Sequence, residues 1–261
     1  MTNIEINQPL LQKRVSIKEF FGDILGRIWA FWGLLTFIAT FLIIFLPSMV
    51  SYLIPGPKGQ NFFIVVSKIW MWTWLRLIGC PVKIKGLENF IKGKNYVVTF
   101  NHNALLDIPL SAPFIPGGNK TIAKTSFAKV PIFGWFYKRG SILVDRDNNR
   151  SRLKSFEDMK MVLRQGLHMC IYPEGTRNRT NQPIKQFFDG AFKLAIDTGK
   201  DVVPCLIFGT KAAMPVHKTF YLKPTKLQMH FLPAVTPDGM KAPAFKEKVF
   251  KIMLDYYEKG I

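Results

Sequence analysis

Residues 97–110 read VVTFNHNALLDIPL. The run Val97–Phe100 is uncharged and made of β-branched and aromatic residues, the signature of a short strand buried on both faces, as in the middle of a parallel sheet. It stops at Asn101-His102, and five residues after the histidine one carboxylate, Asp107, interrupts an otherwise apolar stretch. No other ionisable side chain stands in the run. In open α/β sheets, function gathers in the loops beyond the strand ends. These residues therefore point to a fold class and to a candidate site at once.

A neutral imidazole can take a proton from a hydroxyl. A carboxylate bonded to its other nitrogen fixes the tautomer and stabilises the imidazolium as it forms. His102 and Asp107 are spaced so that a turn into a short helix returns the carboxylate to the ring. The competing reading is structural, with His102 capping a strand end and Asp107 starting a helix. Spacing alone leaves both open. No G-x-S-x-G elbow accompanies the pair, so the chemistry indicated is direct attack by a substrate hydroxyl rather than a covalent enzyme intermediate.

Working outward, YVVTF, KTIAKT, SILVDR, HMCIYPEG, VVPCLIFG and LQMHFLPAV read as strands. Between them Leu153, Phe156, Met159 and Leu163 mark a helix face, and DGAFKLAIDTG reads as a helix ending at Gly199. Strands alternating with helices predict an α/β domain over residues 81–261, with a mixed, mainly parallel sheet flanked by helices.

Residues 1–80 differ. From Ile28 to Pro57 there is no charged residue, a stretch long enough to cross a bilayer. The following apolar segment carries Lys68 and Arg76 on one helical face, and Trp70, Trp72 and Trp74 suit a headgroup region. The two segments are expected to form a membrane-embedded helical hairpin. Basic flanks at Lys13, Arg14, Lys18 and Arg27 before it, and Lys83 and Lys85 after it, would lie on the cytoplasmic face, the inner membrane in a bacterium.

The net charge of +19 is more than a neutral substrate requires, and implies an anionic surface, substrate or carrier. No recognisable nucleic-acid module accompanies the charge, so nucleic acid is not expected as a partner. Cys80, Cys170 and Cys205 lack paired spacing and read as small core residues, and the four scattered histidines give no metal site. Three more strand ends carry polar groups: Lys124 in IAKTS, Asp145-Arg146 in GSILVDRDNNR, and Glu174, Gly175, Thr176, Arg177 and Arg179 in YPEGTRNR. An arginine fork suits phosphate, and glycine lets backbone N–H groups approach a ligand. Any one of these bases alone reads as a solvated surface charge; their grouping at strand ends suggests an anion site.

Asn101-His102 with Asp107, then GWFYKRGSILVDR, YPEGTR and VVPCLIFG in this order, resemble the glycerolipid acyltransferase family, and within it the enzymes that acylate lysophosphatidic acid. The resemblance covers roughly residues 80–235 and implies a glycerol-3-phosphate acyltransferase-like fold. It implies transfer of a fatty acyl chain from acyl carrier protein or coenzyme A to the 2-hydroxyl of 1-acylglycerol-3-phosphate, giving phosphatidic acid. His102 would then be the base and Asp107 its orienting partner. Arg177, within Glu174-Gly175-Thr176-Arg177, would hold the acceptor phosphate, helped by Lys124 and Arg146. Pro204 matches the fourth block, and no metal or redox cofactor is implied. Backbone N–H groups near Gly175 would serve the oxyanion. Ala104, Ser126 and Asp189 depart from the family pattern, which keeps a lyso-aminolipid acceptor as an alternative. A non-catalytic lipid-binding protein is the other alternative.

Overall fold

The computed structural model describes residues 17–260. Lys13 and Arg14 lie outside the described residues. Seven strands form one sheet: β1 (Val82–Lys85), β2 (Val97–Phe100), β3 (Asn119–Lys124), β4 (Ser141–Val144), β5 (His168–Ile171), β6 (Val202–Phe208) and β7 (Leu227–Phe231). Their spatial order is β1-β7-β6-β2-β5-β3-β4. Strands β6, β2, β5, β3 and β4 are parallel, and β7 joins β6 antiparallel with β1 parallel to it. The sheet is thus mixed and mainly parallel, as the strand–helix alternation predicts.

Strand β2 lies in the middle of the sheet with all four residues buried. Burial on both faces explains why it carries no charged residue and keeps Thr99 fully inside. Beyond Phe100 the backbone pairing with β6 is continued by a side chain. Asn101 Nδ2 donates to the Ile207 carbonyl at 3.0 Å, and the Ile207 N–H donates to Asn101 Oδ1 at 2.7 Å. This amide extends the sheet by one residue and fixes the chain direction just before His102.

Helices α3 (Asp107–Ser111), α4 (Phe133–Gly140), α5 (Asn149–Arg164), α6 (Gly190–Thr198), α7 (Thr210–Ala213) and α8 (Ala242–Glu258) surround the sheet. The buried face of α5 differs from the one read in the sequence: Ser155, Met159, Val162 and Leu163 are inside, whereas Leu153 is exposed. Its start is capped by Asn148, whose Oδ1 accepts the Ser151 N–H at 3.0 Å. Helix α6 ends at Gly199 in the left-handed region, φ 61°, which a glycine adopts without Cβ strain.

Helices α1 (Ile17–Val50) and α2 (Gly56–Leu77) run antiparallel. Their contact sets Trp70 Nε1 on Thr40 Oγ1 at 2.9 Å and Trp74 Nε1 on the Gly33 carbonyl at 3.0 Å. Trp29 and Trp32 donate to the carbonyls of Ile78 and Leu77, satisfying groups left open at the end of α2. Residues four apart share a helical face, so Trp70 and Trp74 point into the core, and only Trp72 faces outward beneath Arg76. The expectation that all three tryptophans sit at a headgroup region is corrected accordingly. Leu75, Ile78, Trp70 and Met71 belong to the same core as Phe100, Leu110 and Ile207, so α2 is built into the body of the protein.

Among the described residues, one helix is long and apolar enough to cross a membrane: Glu19–Val50, with a stretch of mean hydropathy 2.3 inside it. A stripe through Gly26, Ala30, Gly33, Phe41 and Ser48 rests on the body. The opposite face, including Phe31, Leu35, Ile38, Leu42, Ile43 and Leu46, is exposed and apolar. Such a surface is characteristic of a membrane-associated segment. Pro47 lies inside the helix, which continues to Val50.

Candidate active site

His102 stands just past the C-terminal end of β2, and Asp107 opens α3 after one turn of irregular chain. His102 Nδ1 lies 2.8 Å from Asp107 Oδ2. The same oxygen accepts the N–H groups of Asn103 at 2.6 Å and Ala104 at 2.8 Å. Asp107 is fully buried, while the His102 side chain keeps 13% of its surface accessible. A carboxylate acceptor makes Nδ1 the proton-bearing nitrogen, so Nε2 carries the free lone pair. No hydrogen bond occupies Nε2 among the described residues. The spacing that left two readings open in the sequence thus closes into a bonded pair with one basic nitrogen available.

The histidine is held from three sides. Tyr172 packs its ring 4.5 Å from that of His102, and its hydroxyl lies 2.8 Å from the Asp107 carbonyl and 2.7 Å from Ser111 Oγ. Burial, reinforced by the Asp107 charge, pushes the Tyr172 phenol well above its ordinary range, so it stays neutral. Glu174 Oε1 accepts the His102 N–H at 2.7 Å, and the Asn178 N–H donates to the His102 carbonyl at 2.6 Å. The segment 172–178 therefore clamps the histidine backbone at both its N–H and its carbonyl. The sequence singles out His102 and the YPEGTR block separately; the structure places them in direct contact.

Glu174 is buried, and its second oxygen accepts the Lys185 N–H at 3.2 Å. Its carboxylate ties two loops together from behind the histidine and does not face outward. Burial raises its carboxyl to about 7, against the pull of the His102 and Lys185 N–H groups. The raised value means that the native state holds a proton that the unfolded chain releases near the ordinary value of 4.5. The associated stability is complete below that value and is lost as pH climbs through about 7. The slope is at most about 1.4 kcal/mol per pH unit. Glu174→Gln keeps an acceptor oxygen and removes the titration. Its melting temperature in detergent is expected to fall less than that of the wild type between pH 5 and pH 7.5. Parallel curves for the two proteins would remove Glu174 as the source.

Thr176, Arg177 and Arg179 are exposed beside this clamp. Arg177 and Arg179 make no hydrogen bond or ion pair among the described residues, so both guanidinium forks are free for an anion. Arg146, at the end of β4, instead donates to the Gly175 carbonyl across the sheet edge. Lys124, at the end of β3, is exposed. Lys185 Nζ donates to Thr176 Oγ1 at 2.9 Å, adding a cation that the sequence reading did not single out because it lies outside the recognised blocks. Tyr172 was legible only as part of YPEGTR.

Gly175, at φ 70°, turns the segment, and a Cβ there would meet Phe188 Cε2 at 2.8 Å. Its N–H donates to the Tyr172 carbonyl at 3.0 Å, and that of Thr176 to the Glu174 carbonyl at 2.8 Å. Both groups are committed to the loop, which corrects the expectation that they serve an oxyanion. Asp189 pairs with Lys246 at 2.9 Å. A depression of about 360 Å³ lined by Asn95, Leu163 and Lys200 lies at the opposite end of the strands and takes no part in this arrangement.

The family model described as Acyltransferase matches residues 81–208. A 1-acyl-sn-glycerol-3-phosphate acyltransferase of Chlamydomonas reinhardtii is 34% identical over 163 residues, covering 60% of this chain and 47% of its own. The enzyme of that name from Limnanthes douglasii is 26% identical over 205 residues, covering 78% and 70%. The chain spans about half the length of the first curated relatives it matches. The crystal structure of the 1-acyl-sn-glycerophosphate acyltransferase PlsC from Thermotoga maritima superposes with a TM-score of 0.75, covering 92% of this chain and 96% of that one. At 23% identity that likeness shows a common fold. The match to the acyltransferase family model runs through residues 81–208, which carry both the His102–Asp107 pair and the YPEGTR clamp.

Proposed function

We propose that the protein transfers a fatty acyl chain from an acyl thioester to the 2-hydroxyl of 1-acylglycerol-3-phosphate, making phosphatidic acid. The observation that carries this reading is the His102–Asp107 pair, with Nδ1 held by a buried carboxylate and Nε2 free. His102 Nε2 accepts the hydroxyl proton while the hydroxyl oxygen attacks the thioester carbonyl. The tetrahedral intermediate collapses with cleavage of the C–S bond, and the imidazolium returns its proton to the departing thiolate. Asp107 stabilises the imidazolium between these steps. The Arg177 backbone N–H, uncommitted among the described residues and next to the Asn178 contact with His102, is the candidate donor to the oxyanion. This chemistry needs no metal or redox cofactor.

The names of the relatives and the two free guanidinium groups support a phosphate-bearing acceptor. Acyl carrier protein and coenzyme A thioesters are both anionic and would be drawn by the net charge of +19. The apolar face of α1 supports work at a membrane, with the basic flanks Arg27, Lys83 and Lys85 on its cytoplasmic face.

Arg177→Ala is expected to raise KM for lysophosphatidic acid by about tenfold or more, the cost of a charge-assisted hydrogen bond. KM for the acyl thioester should change far less. Steady-state kinetics with each substrate varied in turn gives both numbers. An unchanged acceptor KM, or equal turnover of a lyso-aminolipid without phosphate, would overturn the phosphate assignment.

A further inference from the structure

The segment between β3 and α4 carries a group of exposed apolar residues that the catalytic reading does not use. Phe127, Val130, Ile132 and Trp135 are 44%, 45%, 48% and 58% exposed. The segment is nevertheless tightly built. The Gly134 N–H donates to the Val130 carbonyl at 2.8 Å, and a Cβ on Gly134 would stand 2.4 Å from the Ala128 carbonyl oxygen. The Phe133 N–H donates to the Pro131 carbonyl at 2.6 Å. Ile132, at φ 63° and ψ −56°, is therefore the centre of a γ-turn of the rare positive-φ kind. For a β-branched residue this is a strained conformation. The strain presents an apolar side chain outward, at a place where the protein itself offers it little cover.

Two observations indicate what covers it. First, the segment continues the exposed face of α1. Trp135 stacks on Phe45 with centroids 6.2 Å apart, and the Tyr52 hydroxyl donates to the Trp135 carbonyl at 2.9 Å. Leu46, Val50 and Leu53 are exposed alongside. Second, Lys124, Lys129 and Lys138 are exposed around the apolar tip. A tryptophan and a rim of lysines around aliphatic side chains match the boundary between acyl chains and anionic headgroups. Two copies of the chain meeting here would set those lysines against each other.

We propose that residues 127–135 form a second membrane-insertion element, which enters the same anionic leaflet as the exposed face of α1. The segment lies beyond the C-terminal end of β3, the end of the parallel strands at which His102 stands. Its insertion turns the catalytic end of the sheet toward the bilayer surface.

The test is a depth measurement on the full chain in phosphatidylcholine–phosphatidylglycerol vesicles. Cys80, Cys170 and Cys205 are all buried, so a nitroxide reagent labels an introduced surface cysteine selectively. Ile132→Cys and Val130→Cys report on the segment, the second without altering the strained residue. Gln165→Cys, exposed at the opposite end of the strands, is the aqueous reference. At both segment positions, collision with oxygen is expected to exceed that with a water-soluble nickel chelate several-fold, and the order should reverse at Gln165→Cys. Nickel access equal to the reference would overturn the proposal. Protection from both reagents, with spin–spin broadening that persists in detergent, would identify a second copy as the occupant and overturn it too. The readout uses no turnover, so its outcome is independent of the acyl-transfer reading.

Discussion

Replacing His102 with alanine is expected to lower acceptor-dependent thiol release by about a hundred- to ten-thousand-fold, the range contributed by a positioned general base. The loss should fall on kcat, since the imidazole acts on the proton in flight rather than on either ground state. The fold should survive. The backbone N–H and carbonyl of His102, which Glu174 and Asn178 hold, remain in the variant. The exposed Arg177 and Arg179 are untouched, so binding of lysophosphatidic acid should persist. A binding protein without catalysis would show no change in any activity on this substitution.

Asp107→Asn is expected to have the next largest effect, a fall in kcat of about a hundredfold or more. One oxygen of Asp107 serves three donors: His102 Nδ1, the Asn103 N–H and the Ala104 N–H. An asparagine carbonyl can still accept from the backbone, so the turn into α3 should hold. What it loses is the negative charge facing the imidazolium; the same carbonyl can still accept from Nδ1. The acceptor KM should stay within a few-fold of wild type. A melting temperature that collapses together with activity would instead make Asp107 a structural residue that happens to touch the ring.

The sequence was most legible where burial is symmetrical. Strands β2, β5 and β6 are buried almost throughout, so apolar residues dominate them, with Thr99 and His168 the polar exceptions. Leu153 escapes the periodicity because a helix at a protein surface tolerates exposed leucine, and periodicity alone does not say which of two adjacent stripes faces inward. The tryptophans of α2 differ from their sequence expectation for a related reason. Their composition fits a headgroup region, but their partners, Thr40 and Gly33, are 30 and 41 residues away. The pairing of His102 with Asp107 was legible as a possibility because it is local. The clamp from Glu174 and Asn178 is not, since Glu174 lies 72 residues from His102 and both residues grip backbone groups of the histidine that no side-chain motif records. The commitment of the Gly175 and Thr176 N–H groups inside their own turn was hidden for the same reason.

The central claim is that His102, oriented by Asp107, activates the hydroxyl of a lysophosphatidic acid for attack on an acyl thioester. The most direct measurement is thiol release, with product lipid identified by mass spectrometry, from purified wild type and His102→Ala. Acyl-coenzyme A and acyl carrier protein thioesters would each be supplied with and without lysophosphatidic acid. The account predicts thiol and phosphatidic acid in equal amounts, only when acceptor is present, and loss of both in the variant. Release that ignores the acceptor, or phosphatidic acid formed equally well without His102, would contradict it.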